Sequence, residues 1–153
     1  VGYDLHVAAA AAFLGEAEAL VEVRRRAMSR LRDHVAPDGR QPHEMDRTLT
    51  QHYTAFNLQV WLDLMALFER VGFVAWAPED AGLLRRAADW VLAESEKGWR
   101  HPQIQPFDAR RLAPIRAAFG IVPVDPGAVP VVFHPDDGVP PYWELVAPAG
   151  WRG

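Results

Sequence analysis

The chain has 153 residues, of which half are hydrophobic and 24% are charged, a composition typical of one globular domain and incompatible with wholesale disorder. Its 16 Lys and Arg residues against 20 Asp and Glu residues give a net charge of −4, which argues against a nucleic-acid partner because such partners require a basic surface. Cysteine does not occur, so disulfides and thiolate metal sites are excluded.

The first predicted helix runs from Tyr3 to Leu14 and contains five consecutive alanines, the strongest helix formers, before Gly15 ends it. No basic residues precede the apolar run from Val7 to Leu14, so the run does not resemble a signal peptide, and it is too short to cross a membrane. Because the sequence opens on Val1 and not on methionine, we expect the chain to lack its N-terminal part.

Three more helices are predicted before residue 100. The second runs from Glu16 to Val35 with apolar residues spaced by three and four, and the turn Ala36-Pro37-Asp38-Gly39 follows it. The third begins at Glu44 or Thr48 and ends at Val71, and its apolar residues cover so much of its circumference that we expect it to be buried between neighbours. The fourth runs from Pro78 to Glu94, with proline and two acidic residues at its start.

The amino-acid composition changes after about Gly98, since ten of the thirteen prolines lie from Pro102 onward. Only the stretch from Ala109 to Phe119 looks helical there, with Pro114 interrupting it, and Val129 to Phe133 could form one short strand. We therefore predict an all-α protein, with antiparallel helices over residues 1–100 and an irregular, Pro-rich tail over residues 101–153 that packs on them through its aromatic side chains.

The densest cluster of polar side chains lies between residues 37 and 57, where the turn leads into the third helix. Glu44, Arg47 and Gln51 share a face if that helix begins early, and Tyr53 and Asn57 share a face because they are four residues apart.

Tyr53, with His52 beside it and Arg47 nearby, has the composition of a proton-transfer site. A tyrosine pKa is normally about 10, and a neighbouring guanidinium favours the phenolate and brings that value towards neutrality. Such a phenol can take or give a proton. The alternative is that Tyr53 and His52 are ordinary core residues and that Arg47 pairs with Glu44 or Asp46.

Two other sequence patterns are better explained as structural features than as functional sites. His34, His43 and His52 recur every nine residues, but nine residues are about two and a half helical turns and a turn intervenes, so we predict no metal site. The run Arg24-Arg25-Arg26 lies close to Glu18 and Glu22 and is typical of a solvated helix face.

The polar cluster resembles the alginate lyase family of helical toroid polysaccharide lyases. The resemblance rests on a PDG turn, QP-x-E, RT and HY-x-x-FNL at matching intervals, carried by Pro37 to Glu44, Arg47-Thr48 and His52 to Gln59. The stretch from Gly2 to Gly15 is similar to the helix that follows the family's catalytic Asn-His segment. Together these matches cover roughly residues 1–100 and imply that the helices form part of an α/α toroid.

The resemblance implies β-elimination on a uronic-acid polysaccharide such as alginate, without a cofactor, and a secreted or periplasmic location. It implies that Tyr53 transfers the proton, that Arg47 stabilises the phenolate or the substrate carboxylate, and that His52 belongs to the same catalytic group. Glu44 would orient Arg47 by a charge-assisted pair. Asn57 and Gln51 complete the set as expected substrate-binding residues.

One departure from the family pattern bears on activity. The upstream Asn-His pair that the family uses on the substrate carboxylate does not occur in this sequence, so we expect the chain to be the C-terminal portion of a lyase domain and to be inactive alone. The alternative hypothesis is a non-catalytic, helical carbohydrate-binding or scaffold domain on the same fold. A hydrolase on the same fold is a third hypothesis.

Overall fold

The computed structural model describes residues 1–73 and 77–121. Within these ranges the elements are α1 (Gly2–Leu14), α2 (Ala17–His34), α3 (Pro42–Met45), α4 (Thr50–Arg70), α5 (Pro78–Glu96), a 3-10 turn (Ala109–Leu112) and α6 (Ala113–Ala118). The only strand-like pairing there is an isolated bridge between Leu49 and Gln103. The predicted all-α class is thus confirmed, whereas the toroid stays a prediction.

The predicted bounds of α1, α2 and α5 agree with the structure to within two residues. Gly15 closes α1 with a φ of 74°, a left-handed conformation that glycine adopts without a steric penalty. Pro78 stands at the start of α5, where its missing N–H is not needed, and Glu79 and Asp80 occupy the first turn.

The third helix begins two residues after the later of its two predicted starts. The earlier alternative, Glu44, is wrong, because the single turn α3 ends at Met45 and α4 begins at Thr50. The first N–H groups of α4 find partners far along the chain. Thr50 N–H donates to the Pro102 carbonyl at 3.0 Å, and Gln51 N–H donates to Gln103 Oε1 at 3.0 Å. A helix start must satisfy such unpaired donors, and here a segment about fifty residues away does so.

The four long helices contact one another in a closed circuit. α1 packs on α2 and on α4, and α5 packs on α4 and on α2. α4 is buried around most of its circumference, as its sequence predicts, with Leu58, Trp61 and Phe68 fully buried. Leu31 from α2 and Leu84 from α5 join the same core. Arg32 in the last turn of α2 pairs with Asp80 in the first turn of α5, and Gln51 in the first turn of α4 bonds to Ser95 near the end of α5.

The chain after α5 continues the helical core. Pro114 does not interrupt a helix there, because it lies in the first turn of α6, after the 3-10 turn has ended. Leu112 and Ile115 are buried against the helices. The predicted strand from Val129 to Phe133 and the aromatic residues after it lie outside the described residues, and the boundary at residue 100 stays a prediction.

Candidate active site

The turn before α3 is held against α5 by a close backbone contact. Gly39 has a φ of +91°, and a Cβ at this position would lie 2.2 Å from the carbonyl oxygen of Arg86. Arg86 Nε in turn donates to the Pro37 carbonyl at 2.8 Å. Only glycine fits here, which explains the glycine of the PDG turn, and the contact fixes where the following residues begin.

Gln41 ties the same turn to α4. Its side chain is buried, its amide nitrogen donates to the Thr54 carbonyl at 3.2 Å, and its amide oxygen accepts from Asn57 Nδ2 at 2.7 Å. Hydrogen bonds of a buried side-chain amide are costly to break, because each lost partner leaves a polar atom without water or a hydrogen bond. Asn57, expected to bind substrate, thus holds the loop in place, and its predicted role has not been tested.

Glu44, Arg47 and Tyr53 come together at the N-terminal end of α4. The guanidinium carbon of Arg47 lies 3.6 Å from the centre of the Tyr53 ring, a close cation–π stack. Glu44 Oε2 lies 3.7 Å from Arg47 Nη1, which is close enough for an ion pair and too long for a hydrogen bond. The Arg47 side chain is 48% exposed, so its remaining N–H groups are accessible from solvent.

The electrostatics of this cluster centre on Glu44, whose side chain is mostly buried. Burial raises the pKa of Glu44, while the nearby charges of Arg47 and of a protonated His43 lower it. Burial is the larger effect, so the pKa of Glu44 lies above its usual value, and Arg47 is the neighbour whose permanent charge opposes that rise.

His52 lies against the edge of Tyr53. The centres of the two rings are 5.3 Å apart and their planes are nearly perpendicular. Burial, and then the charge of Arg111, lower the pKa of His52. The imidazole is therefore neutral at pH 7, the form that can accept a proton.

Gln51 lies elsewhere. Its side chain is buried and its amide nitrogen donates to Ser95 Oγ on α5 at 3.1 Å. The expectation that Glu44, Arg47 and Gln51 share one helical face is wrong, because α4 begins after Arg47 and the residues between α3 and α4 are not helical. The role of Gln51 as a substrate-binding residue stays a prediction.

Two contacts near the site were not expected from the sequence. The rings of His34 and His43 meet, with centres 5.0 Å apart, because the turn between them reverses the chain. Asp4, fully buried on α1, accepts from Arg26 Nε at 2.9 Å and also from Arg30. The arginine-rich run is therefore not wholly a solvated face, and a lone aspartate in an alanine-rich helix was the signal for its buried partner.

No group of three or more His, Asp or Glu side chains lies close enough to hold a metal ion in the ranges 1–73 and 77–121. Among the helices of the same ranges, none is both long and apolar enough to cross a bilayer.

The family model for alginate lyase matches residues 2–100, which include every residue of the candidate site. The match covers well over half of the chain, and the chain therefore belongs to the alginate lyase family. Comparisons with curated proteins and with solved structures gave no match.

Proposed function

We propose that the protein is a polysaccharide lyase that cleaves a uronate polymer, alginate or a similar chain, by β-elimination. The observation that carries the proposal is the stack of Arg47 on Tyr53, with the Glu44 carboxylate 3.7 Å from the guanidinium, in a chain of the alginate lyase family. Such a reaction needs a group that neutralises the sugar carboxylate, a base for the C5 proton and an acid for the departing oxygen.

Tyr53 is the proposed proton-transfer residue. The Arg47 guanidinium packed on its ring places a permanent positive charge beside the phenol. His52, neutral and in edge contact with the same ring, is the second group able to carry a proton. The two side chains could therefore divide the roles of base and acid between them.

Arg47 is the proposed carboxylate-binding residue. Within the protein, Arg47 contacts the face of the Tyr53 ring and forms one loose ion pair with Glu44. Its side chain is about half exposed, which leaves N–H groups for a two-pronged contact with a substrate carboxylate. Glu44 lies 3.7 Å from the same guanidinium and attracts it electrostatically. We also propose a secreted or periplasmic location, where such a polymer would be encountered.

The alternative function is a helical carbohydrate-binding domain without catalysis. The observation that favours it is the 48% exposed side chain of Arg47, which can contact a polymer carboxylate whether or not a proton is transferred.

The deciding experiment gives polymannuronate to the full-length protein and follows the ultraviolet absorbance of the unsaturated uronate ends that β-elimination creates. Growth of this absorbance supports the lyase. New reducing ends without absorbance would support a hydrolase, and polymer binding without either product would support the carbohydrate-binding domain.

A further inference from the structure

Trp99 has a backbone conformation that is unusual for its residue type. Its φ is +32°, and every other positive φ in the ranges 1–73 and 77–121 belongs to a glycine. A bulky side chain is disfavoured there because its Cβ crowds the backbone, so a residue keeps this conformation only where its surroundings impose it. The contacts of the Trp99 side chain must therefore compensate for the cost of its backbone.

The indole of Trp99 joins the end of α5 to the start of α4. Its Nε1–H donates to Thr50 Oγ1 at 2.8 Å, and its ring lies edge-on to Trp90 of α5 and to His101, with ring centres 5.7 and 5.4 Å apart. Thr50 is fully buried, and its hydroxyl donates in turn to the Pro102 carbonyl at 2.6 Å. Because the hydroxyl is buried, both of these hydrogen bonds are costly to lose.

Residues 102–104, which follow Trp99 in the chain, pair with residues 48–50. The pairing includes the hydrogen bond from Thr50 N–H described above, the antiparallel bridge and a hydrogen bond of 3.1 Å from Ile104 N–H to the Thr48 carbonyl. It holds residues 48 and 49 outside the helix, and α4 begins at the next residue.

The stack of Arg47 on Tyr53 requires this late start of α4. If α4 included Arg47, the two residues would be six positions apart on one helix, separated by about 9 Å along the axis and about 120° around it. Side chains placed in this way do not face each other, whereas the observed guanidinium lies 3.6 Å from the ring centre. The sequence from Glu44 to Thr50 contains no proline or glycine, so it does not itself prevent an earlier start.

We propose that Trp99 is a positioning residue for the candidate site. By donating to Thr50, it holds residues 102–104 against the start of α4 and so keeps Arg47 outside the helix and stacked on Tyr53. The proposal rests on the proposed function, in which Arg47 binds the substrate carboxylate. Trp99 acts through the backbone before α4 and not on the substrate.

The test compares the full-length wild type with Trp99→Phe, which keeps an aromatic ring and removes the N–H donor. Trp90→Phe is the matched control, because it removes an indole from the same ring cluster and leaves the bond to Thr50 in place. We expect the KM of Trp99→Phe for polymannuronate to rise about three- to tenfold, the scale of one hydrogen bond, and that of Trp90→Phe to stay within about twofold. A purely structural role would lower the folded fraction, which reduces the apparent kcat and leaves KM unchanged, and that result would overturn the proposal.

A second pair of variants removes the same hydrogen bond from its other partner. Thr50→Val lacks the hydroxyl and should raise KM as Trp99→Phe does, whereas Thr50→Ser keeps the hydroxyl and should resemble the wild type. A wild-type KM in Thr50→Val would overturn the proposal even if Trp99→Phe does not fold.

A third measurement needs no turnover. Protons over the face of an aromatic ring are shielded, so the Arg47 side-chain resonances should lie upfield in the wild type and in Trp90→Phe. In Trp99→Phe they should return towards the values of an exposed arginine. Unchanged Arg47 resonances in Trp99→Phe overturn the proposal even if the protein is a lyase. Resonances that move as expected in a protein that yields no unsaturated product support the positioning role and reject the proposed function.

Discussion

The guanidinium of Arg47 lies over the face of the Tyr53 ring, 3.6 Å from its centre, although the two residues belong to different segments of backbone. Arg47 precedes α4 in a non-helical stretch, and Tyr53 is in the first turn of the helix. The contact places a charge that does not titrate over the ring of a partly exposed tyrosine.

Replacing Tyr53 with phenylalanine should abolish most of the chemistry while keeping the fold. Tyr53→Phe removes one oxygen, so the free energy of unfolding should drop by about 1 kcal/mol or less. The rate of unsaturated product formation by the full-length protein should drop at least about 100-fold, the loss typical of a missing general acid or base. Tyr3→Phe, at an exposed tyrosine of α1, is the matched control and should behave as wild type. Near wild-type turnover of Tyr53→Phe would make Tyr53 an ordinary packing residue.

Replacing Arg47 with lysine tests whether polymer binding needs the planar guanidinium or only its positive charge. Arg47→Lys keeps the positive charge but loses the planar group that stacks on Tyr53 and the fork that grips a carboxylate. We expect KM for the polymer to rise about tenfold, the scale of one charge-assisted hydrogen bond. Arg85→Lys on α5, another exposed and ion-paired arginine, serves as control. An unchanged KM in Arg47→Lys would exclude the two-pronged contact.

Substituting Gly39 should lower the free energy of unfolding more than the same substitution at another glycine of similar backbone conformation. Gly39→Ala places a methyl group 2.2 Å from the Arg86 carbonyl oxygen, in addition to the cost of a φ of +91°. Gly72→Ala, with a φ of +85° and open space around it, carries the backbone cost alone. Urea titrations should show Gly39→Ala to be the less stable variant by more than about 1 kcal/mol. Equal stabilities would mean that the turn moves away from α5 freely.

Asp63 should make the protein less stable as the pH rises. Burial in the middle of α4 raises the pKa of this carboxyl from 3.8 to about 6. The folded chain therefore keeps a proton that the unfolded chain releases between about pH 4 and pH 6, and the stability associated with it is lost as the pH rises through that window. Asp63→Asn should raise the free energy of unfolding at pH 7 by roughly 2 to 3 kcal/mol relative to wild type.

The stability of wild type and of Asp63→Asn at two pH values tests this prediction. Urea titrations at pH 3.5 and pH 7 should give a difference between wild type and Asp63→Asn that is small in acid and large at neutrality. A difference that is the same at both pH values would show that the substitution acts through packing and not through the charge.

Much of the helical framework can be predicted from the sequence, because apolar spacing and the residues Gly15, Gly72 and Pro78 act locally. The sequence left the start of α4 open between Glu44 and Thr48, since the groups that satisfy its first N–H donors come from Pro102 and Gln103. Prediction from sequence patterns uses residues that are close in the chain, whereas the start of this helix is stabilised by hydrogen bonds to a segment about fifty residues later.

The candidate site was predictable in its residue types but only partly in its geometry. Arg47 and Tyr53 lie together, as their spacing and the family resemblance suggested. Asn57 lies four residues from Tyr53 on the same helix, yet its amide faces the buried Gln41. A polar residue on a helix can face solvent or a buried polar partner, and spacing does not distinguish the two.

The hydrogen bonds from Thr50 and Gln51 to residues 102 and 103 also have a kinetic meaning. The family match ends at residue 100, yet the first turn of the helix that carries His52 and Tyr53 is closed by residues beyond it. We expect Thr50 and Gln51 to form these hydrogen bonds only after the chain has grown past Gln103 and folded back. Amide exchange at Thr50 and Gln51 should consequently report the docking of this later segment rather than the winding of α4 itself.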